Sequence, residues 1–135
     1  MGRPRVILLD THVVVWSLSE PERLSSTART AMKVARKEGT PLAISAVTLV
    51  EISILARKQR IAAGDNLAAY LSDIESTFFV LPVLSRICLR LVELPESYPG
   101  NPVDQVIGAT ALAEGIPLVT ADEKIRKAKA FETIW

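Results

Sequence analysis

Four carboxylates stand where solvation alone would not put them: Asp10, Glu51, Asp104 and Asp122. Asp10 closes the apolar run of V-I-L-L-D-T-H, and Asp122 closes L-V-T-A-D. A carboxylate at the end of a buried run is costly unless a partner meets it. Glu51 falls between Val47 and Leu55 on a helical projection, with Ile54 close by, and is expected to be buried. Asp104 sits in the first turn of a helix that Asn101 caps and Pro102 opens. It lines up with Gly108 and Ala111, small residues that would let this face approach a sheet closely. Four such acids converging in a low-dielectric cleft would repel strongly. Divalent cations relieve that repulsion, and hard oxygen donors without histidine or thiolate favour Mg2+ or Mn2+. Ions held with open positions activate water and neutralise a phosphodiester as it reacts. The chemistry is that of a nuclease or a phosphatase, with no side chain offered as a covalent nucleophile.

Each acid also has an ordinary role. Asp10 can cap the helix that follows its strand, and Asp122 can cap a helix starting near Glu123. Asp104 suits the positive end of a helix in any case. Glu51 can pair with Lys58 at i+7 or reach solvent. Singly these signals are weak; jointly they favour a site, because all four can converge where strands end.

The elements that must position these acids alternate. Arg5 to Asp10 reads as a buried strand, and T-H-V-V-V-W-S-L-S as a short helix or turn ending near Glu20-Pro21. Ser25 or Ser26 caps a helix with Ala28, Ala31, Met32 and Ala35 on its apolar face and Lys33, Arg36 and Lys37 on its wet one, ended by Gly39. Leu42 to Ser45 is a second strand, and Ser45 caps the helix that carries Glu51. Gly64-Asp65-Asn66 marks a break before a helix with Leu67, Tyr70, Leu71 and Ile74. F-F-V-L-P-V reads as a strand edged by Pro82, and S-R-I-C-L-R-L-V-E-L as an amphipathic helix in which Cys88 is expected in the core. P-E-S-Y-P-G-N-P is the densest turn signal. The Asp104 helix runs to Gly115, I-P-L-V-T-A-D is strand then loop, E-K-I-R-K-A-K-A is a short basic helix, and F-E-T-I-W is a last strand. Short apolar strands between helices predict an α/β sandwich with a mostly parallel sheet covered on both faces. Ligands of such sheets bind beyond the carboxyl ends of the strands, which is where Asp10 and Asp122 fall.

Composition bounds the rest. The 135 residues, 49% of them hydrophobic, fit one domain over 1–135 with a core of its own. A net charge of +1 gives no global basic field, so any nucleic-acid contact must rest on local patches. One cysteine and one histidine exclude an internal disulfide and a Cys/His zinc site of four ligands. No apolar run approaches the roughly 18 residues of a membrane span, and the start M-G-R-P-R-V-I-L-L-D lacks the long apolar region of a signal peptide. A cytoplasmic protein without a membrane partner is expected. Arg57-Lys58-Gln59-Arg60 follows the Glu51 helix and Lys124-Ile125-Arg126-Lys127 follows Asp122; both runs are candidates to meet RNA or an acidic partner, and both are also simply solvated faces.

The pieces L-L-D-T-H-V-V-V-W, S-A-V-T-L-V-E-I, N-P-V-D-Q-V-I-G-A-T-A-L and P-L-V-T-A-D-E-K-I, in that order, resemble a PIN-domain ribonuclease, in particular the VapC toxins of bacterial and archaeal toxin–antitoxin pairs. The likeness covers essentially the whole chain, and the first and third pieces are the most specific. It implies a PIN-like three-layer α/β/α sandwich and a Mg2+- or Mn2+-dependent endoribonuclease that cuts structured RNA such as tRNA or ribosomal RNA. It implies an acidic metal site made of Asp10, Glu51, Asp104 and Asp122, with Thr120 supporting Asp122. It also implies that Thr11, by its hydroxyl or backbone, positions a neighbouring acid or metal-bound water. It implies a homodimer and a cognate VapB-type antitoxin whose tail covers the acidic groove. Two positions depart from the pattern. Many relatives read D-P-x-D-R where this chain reads Asn101-Pro102-Val103-Asp104-Gln105. Asn101 can still cap a helix, and its carbonyl oxygen can meet a metal-bound water, but it brings no charge. Gln105 replaces an arginine able to pair with acids or phosphate.

His12 is expected to pack or hydrogen-bond rather than act as a base, and Trp16 to serve the core or a partner contact. The alternatives to a toxin are a PIN nuclease of RNA processing and a PIN-like module that only binds RNA or protein. A haloacid-type phosphatase would need a second aspartate where His12 stands. A receiver domain would need an acid after the third strand, where Pro82-Val83-Leu84 has none.

Overall fold

A computed structural model describes residues 5–135 apart from 62, 64 and 65. Of the expected Gly64-Asp65-Asn66 break, Gly64 and Asp65 lie outside the described residues, as do residues 1–4 of the basic start. Asn66 is described and caps the helix after it.

Five short strands, β1 (Ile7–Leu9), β2 (Leu42–Ser45), β3 (Phe79–Leu81), β4 (Leu118–Val119) and β5 (Thr133–Ile134), form one sheet in the order β3-β2-β1-β4-β5. Every pairing is parallel, with Leu8 of β1 opposite both Ala43 of β2 and Leu118 of β4. Among the described residues the helices are α1 (Thr11–Ser19), α2 (Ser26–Lys37), α3 (Ala46–Arg57), α4 (Leu67–Thr77), α5 (Ser85–Leu91), α6 (Pro102–Glu114) and α7 (Glu123–Ala128). A 3-10 turn at Pro21–Arg23 follows α1.

Strands buried on both faces read as unbroken apolar runs, and their side chains sort by alternation. Ile7, Leu9, Leu42, Ile44 and Val119 enter one core with α1, α2, Ile52 and Ile74. Leu8, Ala43 and Leu118 enter the other with Tyr98, Ile107, Ala111 and Ile125. The result is the predicted three-layer α/β/α sandwich. The helix boundaries follow the capping residues: Ser25, Ser45, Asn66 and Asn101 each accept a first-turn N–H, and α6 ends at Gly115 with φ +64°. A left-handed residue there suits glycine alone without strain.

Two expectations fail on α5. The helix stops at Leu91, and Cys88 is exposed rather than in the core. Only Ile87 of this helix is buried; Leu84, Leu89 and Val92 are 56%, 69% and 82% exposed, and Phe79 of the edge strand β3 is 57% exposed. Apolar spacing selected the helix, but it cannot say which apolar face finds a partner within one chain.

Candidate active site

The strand order reverses at β1: β2 and β3 lie to one side of it, β4 and β5 to the other. The crevice of such a sheet opens at the switch point, here between the carboxyl ends of β1 and β4. Asp10 leaves β1 and is at once the N-cap of α1. It is 8% exposed. Its Oδ1 accepts the Thr11 N–H at 2.9 Å and its Oδ2 accepts the Thr120 hydroxyl at 2.7 Å. The Thr120 hydroxyl oxygen accepts the Asp122 N–H at 3.0 Å, and Asp122 Oδ1 accepts the Ile125 N–H as the cap of α7. One threonine therefore ties the two strand ends together.

The other two acids arrive on helices. Asp104 is in the first turn of α6, where Asn101 Oδ1 accepts from the backbone of Val103 at 2.9 Å and of Asp104 at 3.4 Å. Glu51 is midway along α3, which packs against α6. Glu51 is half-buried rather than buried, because the α3 turn it occupies faces a cleft and not the core. Among the described residues neither the Glu51 nor the Asp104 carboxylate makes an ion pair or accepts a hydrogen bond, and Glu51 does not pair with Lys58.

Asp104 lies in the field of the other three acids. Burial pushes the Asp104 carboxyl up to about 7, and the negative charges of Asp10, Glu51 and Asp122 push the same way. Burial also raises Asp10; the bonds from Thr120 and Thr11 and the nearby His12 oppose the rise, and Glu51 adds to it. Among the described residues no three acid, histidine or cysteine side chains stand close enough to cage an ion as they are. The reason is visible in the bonding: Asp122 is turned onto its helix cap, while Asp104 and Glu51 have no bond directing them inward. The donor set itself suits a hard divalent cation. It is all carboxylate oxygen, it is mutually repelling, and no lysine or arginine neutralises it.

The supporting residues divide. The Thr11 N–H donates to Asp10, while its hydroxyl bonds that of Thr48 at 3.1 Å rather than an acid. Thr120 serves Asp10 with its hydroxyl hydrogen and Asp122 only through the backbone. The Asn101 side-chain oxygen is spent on capping α6. A cleft of about 1000 Å3 adjoins the acids and is lined by His12, Trp16, Arg23, Glu51, Lys58, Arg60 and Asn101 among others. His12 is exposed at this cleft with its ring 5.9 Å from that of Trp16. Trp16 also meets Trp135 at 6.0 Å, and the Arg23 guanidinium lies 4.5 Å over its ring. Lys58 and Arg60 thus reach the cleft, whereas Arg57 does not line it. On α7, Lys124, Arg126 and Lys127 are exposed, and Lys127 pairs with Glu123 at 3.0 Å.

Sequence reading missed Thr48 and Tyr98. Tyr98 is buried beside Asp104, and its hydroxyl donates to the Asp104 backbone carbonyl at 2.8 Å. It is Tyr98, not the sheet, that Gly108 admits: a Cβ at Gly108 would stand 2.5 Å from the phenol oxygen. The available signal was a lone large aromatic inside P-E-S-Y-P-G-N-P.

A family model described as the PIN domain matches residues 7–130. The chain is 34% identical over 120 residues to Ribonuclease VapC22 of Mycobacterium tuberculosis, covering 89% of each. Among solved structures it is similar to VapBC2 of Rickettsia felis bound to a promoter DNA fragment (TM-score 0.71, 17% identity, 96% of this chain and 97% of that one). It is also similar to a toxin–antitoxin complex of Klebsiella pneumoniae (TM-score 0.63, 23% identity, 93% and 94%).

Proposed function

Because the chain belongs to the PIN-domain family, as a VapC-type ribonuclease, we propose that it is the toxin of a toxin–antitoxin pair and cuts structured RNA, tRNA or ribosomal RNA, with Mg2+ or Mn2+. Asp10, Glu51, Asp104 and Asp122 are the residues that would hold the ion. The observation that carries this reading is the mutual repulsion of these acids with no basic partner. A fold that keeps Asp104 up at about 7 beside three other carboxylates has no structural use for it, and a divalent cation removes the penalty. When bound, such an ion supplies positive charge at the phosphodiester and lowers the pKa of an attacking water. The chain's own part is to hold the donors. Thr11 and Thr120 fix both oxygens of Asp10, the α6 cap sets the Asp104 turn, and Lys58 and Arg60 attract the RNA backbone along the adjoining cleft.

The partners follow from two surfaces. The cleft has an apolar floor from Val15, Trp16, Ile54 and Leu55, which supports a cognate VapB-type antitoxin tail lying over the acids. The exposed apolar residues Phe79, Leu84, Leu89 and Val92 support a homodimer through β3 and α5. Among the described residues no helix is long and apolar enough to cross a membrane.

The test is incubation of a tRNA and ribosomal RNA panel with the wild type and with Asp104→Asn, in Mg2+, Mn2+ or EDTA. Site-limited cuts by the wild type in metal, and none by the variant or in EDTA, are expected. Equal inertness of both proteins on every RNA would favour a PIN-like module that only binds.

A further inference from the structure

Tyr98 is a buried titratable group outside the four acids, 5% exposed and packed beside them. Its ring packs beside Phe131 with centroids 6.0 Å apart. Its hydroxyl donates to the Asp104 carbonyl at 2.8 Å, in the turn of α6 from which the Asp104 side chain projects. Gly108, one turn further on, leaves the phenol its room: an added Cβ would stand 2.5 Å from the hydroxyl oxygen and 2.7 Å from the ring carbon that bears it. The Tyr98 N–H donates to the Pro95 carbonyl at 2.9 Å, so the ring is braced from its own turn. Burial and the charges of Asp104, Asp10 and Asp122 push the phenol pKa up, which keeps the hydroxyl a donor at every working pH.

The Asn101 cap and Pro102 fix where α6 begins. They do not fix how its first turn sits against the crevice. The Asp104 carboxylate accepts no hydrogen bond among the described residues, so its place is inherited from the backbone. We propose that Tyr98, seated in the socket left by Gly108, is a positioning residue of the acidic site: its hydroxyl clamps the Asp104 carbonyl and so sets the direction in which the Asp104 carboxylate enters the crevice. This rests on the reading of the four acids as a divalent-cation site.

The test uses Mn2+ alone as the probe, with bound ion followed by electron paramagnetic resonance. Tyr98→Phe keeps the ring and removes the hydroxyl; Gly108→Ala keeps the hydroxyl and fills its socket. Each should weaken Mn2+ binding about tenfold, the scale of losing a group that orients a ligand. In RNA cleavage well below the melting temperature of every protein compared, so that all are fully folded, kcat should fall by a similar factor with KM unchanged, the mark of an interaction made only in the transition state. In wild-type protein labelled with 13C at tyrosine Cζ, Mg2+ should move the Tyr98 resonance and leave that of Tyr70. A wild type that binds no Mn2+ overturns the four-acid reading itself. A wild type that binds, with Tyr98→Phe binding within about twofold of it, overturns the clamp alone. Should Tyr98→Phe fail to fold, Gly108→Ala decides by the same criterion.

Discussion

Asp10 and Asp122 hang from strand ends, whereas Glu51 and Asp104 ride on helices, and the two halves of the acidic site are built by different means. On the sheet side both oxygens of Asp10 and one of Asp122 already accept hydrogen bonds, with Thr120 bridging the pair. On the helix side neither carboxylate accepts one among the described residues. The sheet half is therefore organised before any ligand arrives, while the helix half holds its acids in place through backbone and leaves their oxygens free. A rigid half can fix the position of an ion, and a free half can close on it. The arrangement also separates what each acid costs the fold: Asp10 recovers part of its desolvation in hydrogen bonds, and Asp104 recovers almost none.

That contrast breaks most visibly under substitution. Asp104→Asn should lower RNA cleavage by about a thousandfold, a barrier of about 4 kcal/mol, while raising the metal-free melting temperature at pH 8 because a repelling charge is gone. Thr120→Val should do the reverse in stability. It strands the Asp122 N–H and removes a donor from Asp10 in a fully buried position, a loss of about 1–3 kcal/mol, with cleavage down about ten- to a hundredfold. Calorimetry and steady-state cleavage on both variants check the pair. Opposite signs in melting temperature with the same sign in activity are the signature of the two-halved site; a stability loss in Asp104→Asn would remove it.

The pH dependence should sharpen the contrast by a smaller effect. Asp104 binds its proton more tightly folded, at about 7, than unfolded, near about 4. Folding therefore takes up a proton in that window, and its contribution to stability is full below the unfolded value and lost as pH rises through the folded one. Metal-free melting temperature should thus fall from pH 5 to pH 8, and Asp104→Asn should flatten the fall. Saturating Mn2+ should flatten it as well, because it stabilises the ionised carboxylates. An unchanged slope in Asp104→Asn would assign the titration to Asp10.

How much of this was legible in the sequence follows from the same division. The strand ends were readable because a buried apolar run that stops at an acid is a local signal, and the register of β1, β2 and β4 then carries Asp10 and Asp122 to one crevice. The caps at Ser25, Ser45 and Asn101 were readable for the same reason. What escaped were relations across the chain. Thr120 meets its neighbour Asp122, but the hydrogen of its hydroxyl goes to Asp10, 110 residues away. Gly108 has the spacing of a helix–sheet contact, yet its partner is a phenol from a loop. Helical spacing predicts Cys88 inside, but α5 buries only Ile87, and periodicity names an apolar face without naming its cover.

The smallest effect expected concerns the cations, which lie at unequal distances from the acids. Lys58 and Arg60 line the cleft that Glu51, His12 and Asn101 share, while Lys124 and Arg126 stand out on α7. Phosphate contacts release counterions, so each one lost should lower the slope of log binding against log salt by about 0.7–0.9. With Asp104→Asn as a non-cutting background, Lys58→Gln and Arg60→Gln should each lower the slope for a structured RNA by about that much. Lys124→Gln and Arg126→Gln should leave it nearly unchanged if the RNA follows the cleft from α3 to the mouth of α6. Equal losses on both sides would mean that the strand passes over the strand-end crevice from α3 to α7. The sheet half of the site, and not only the helix half, would then take part in guiding substrate.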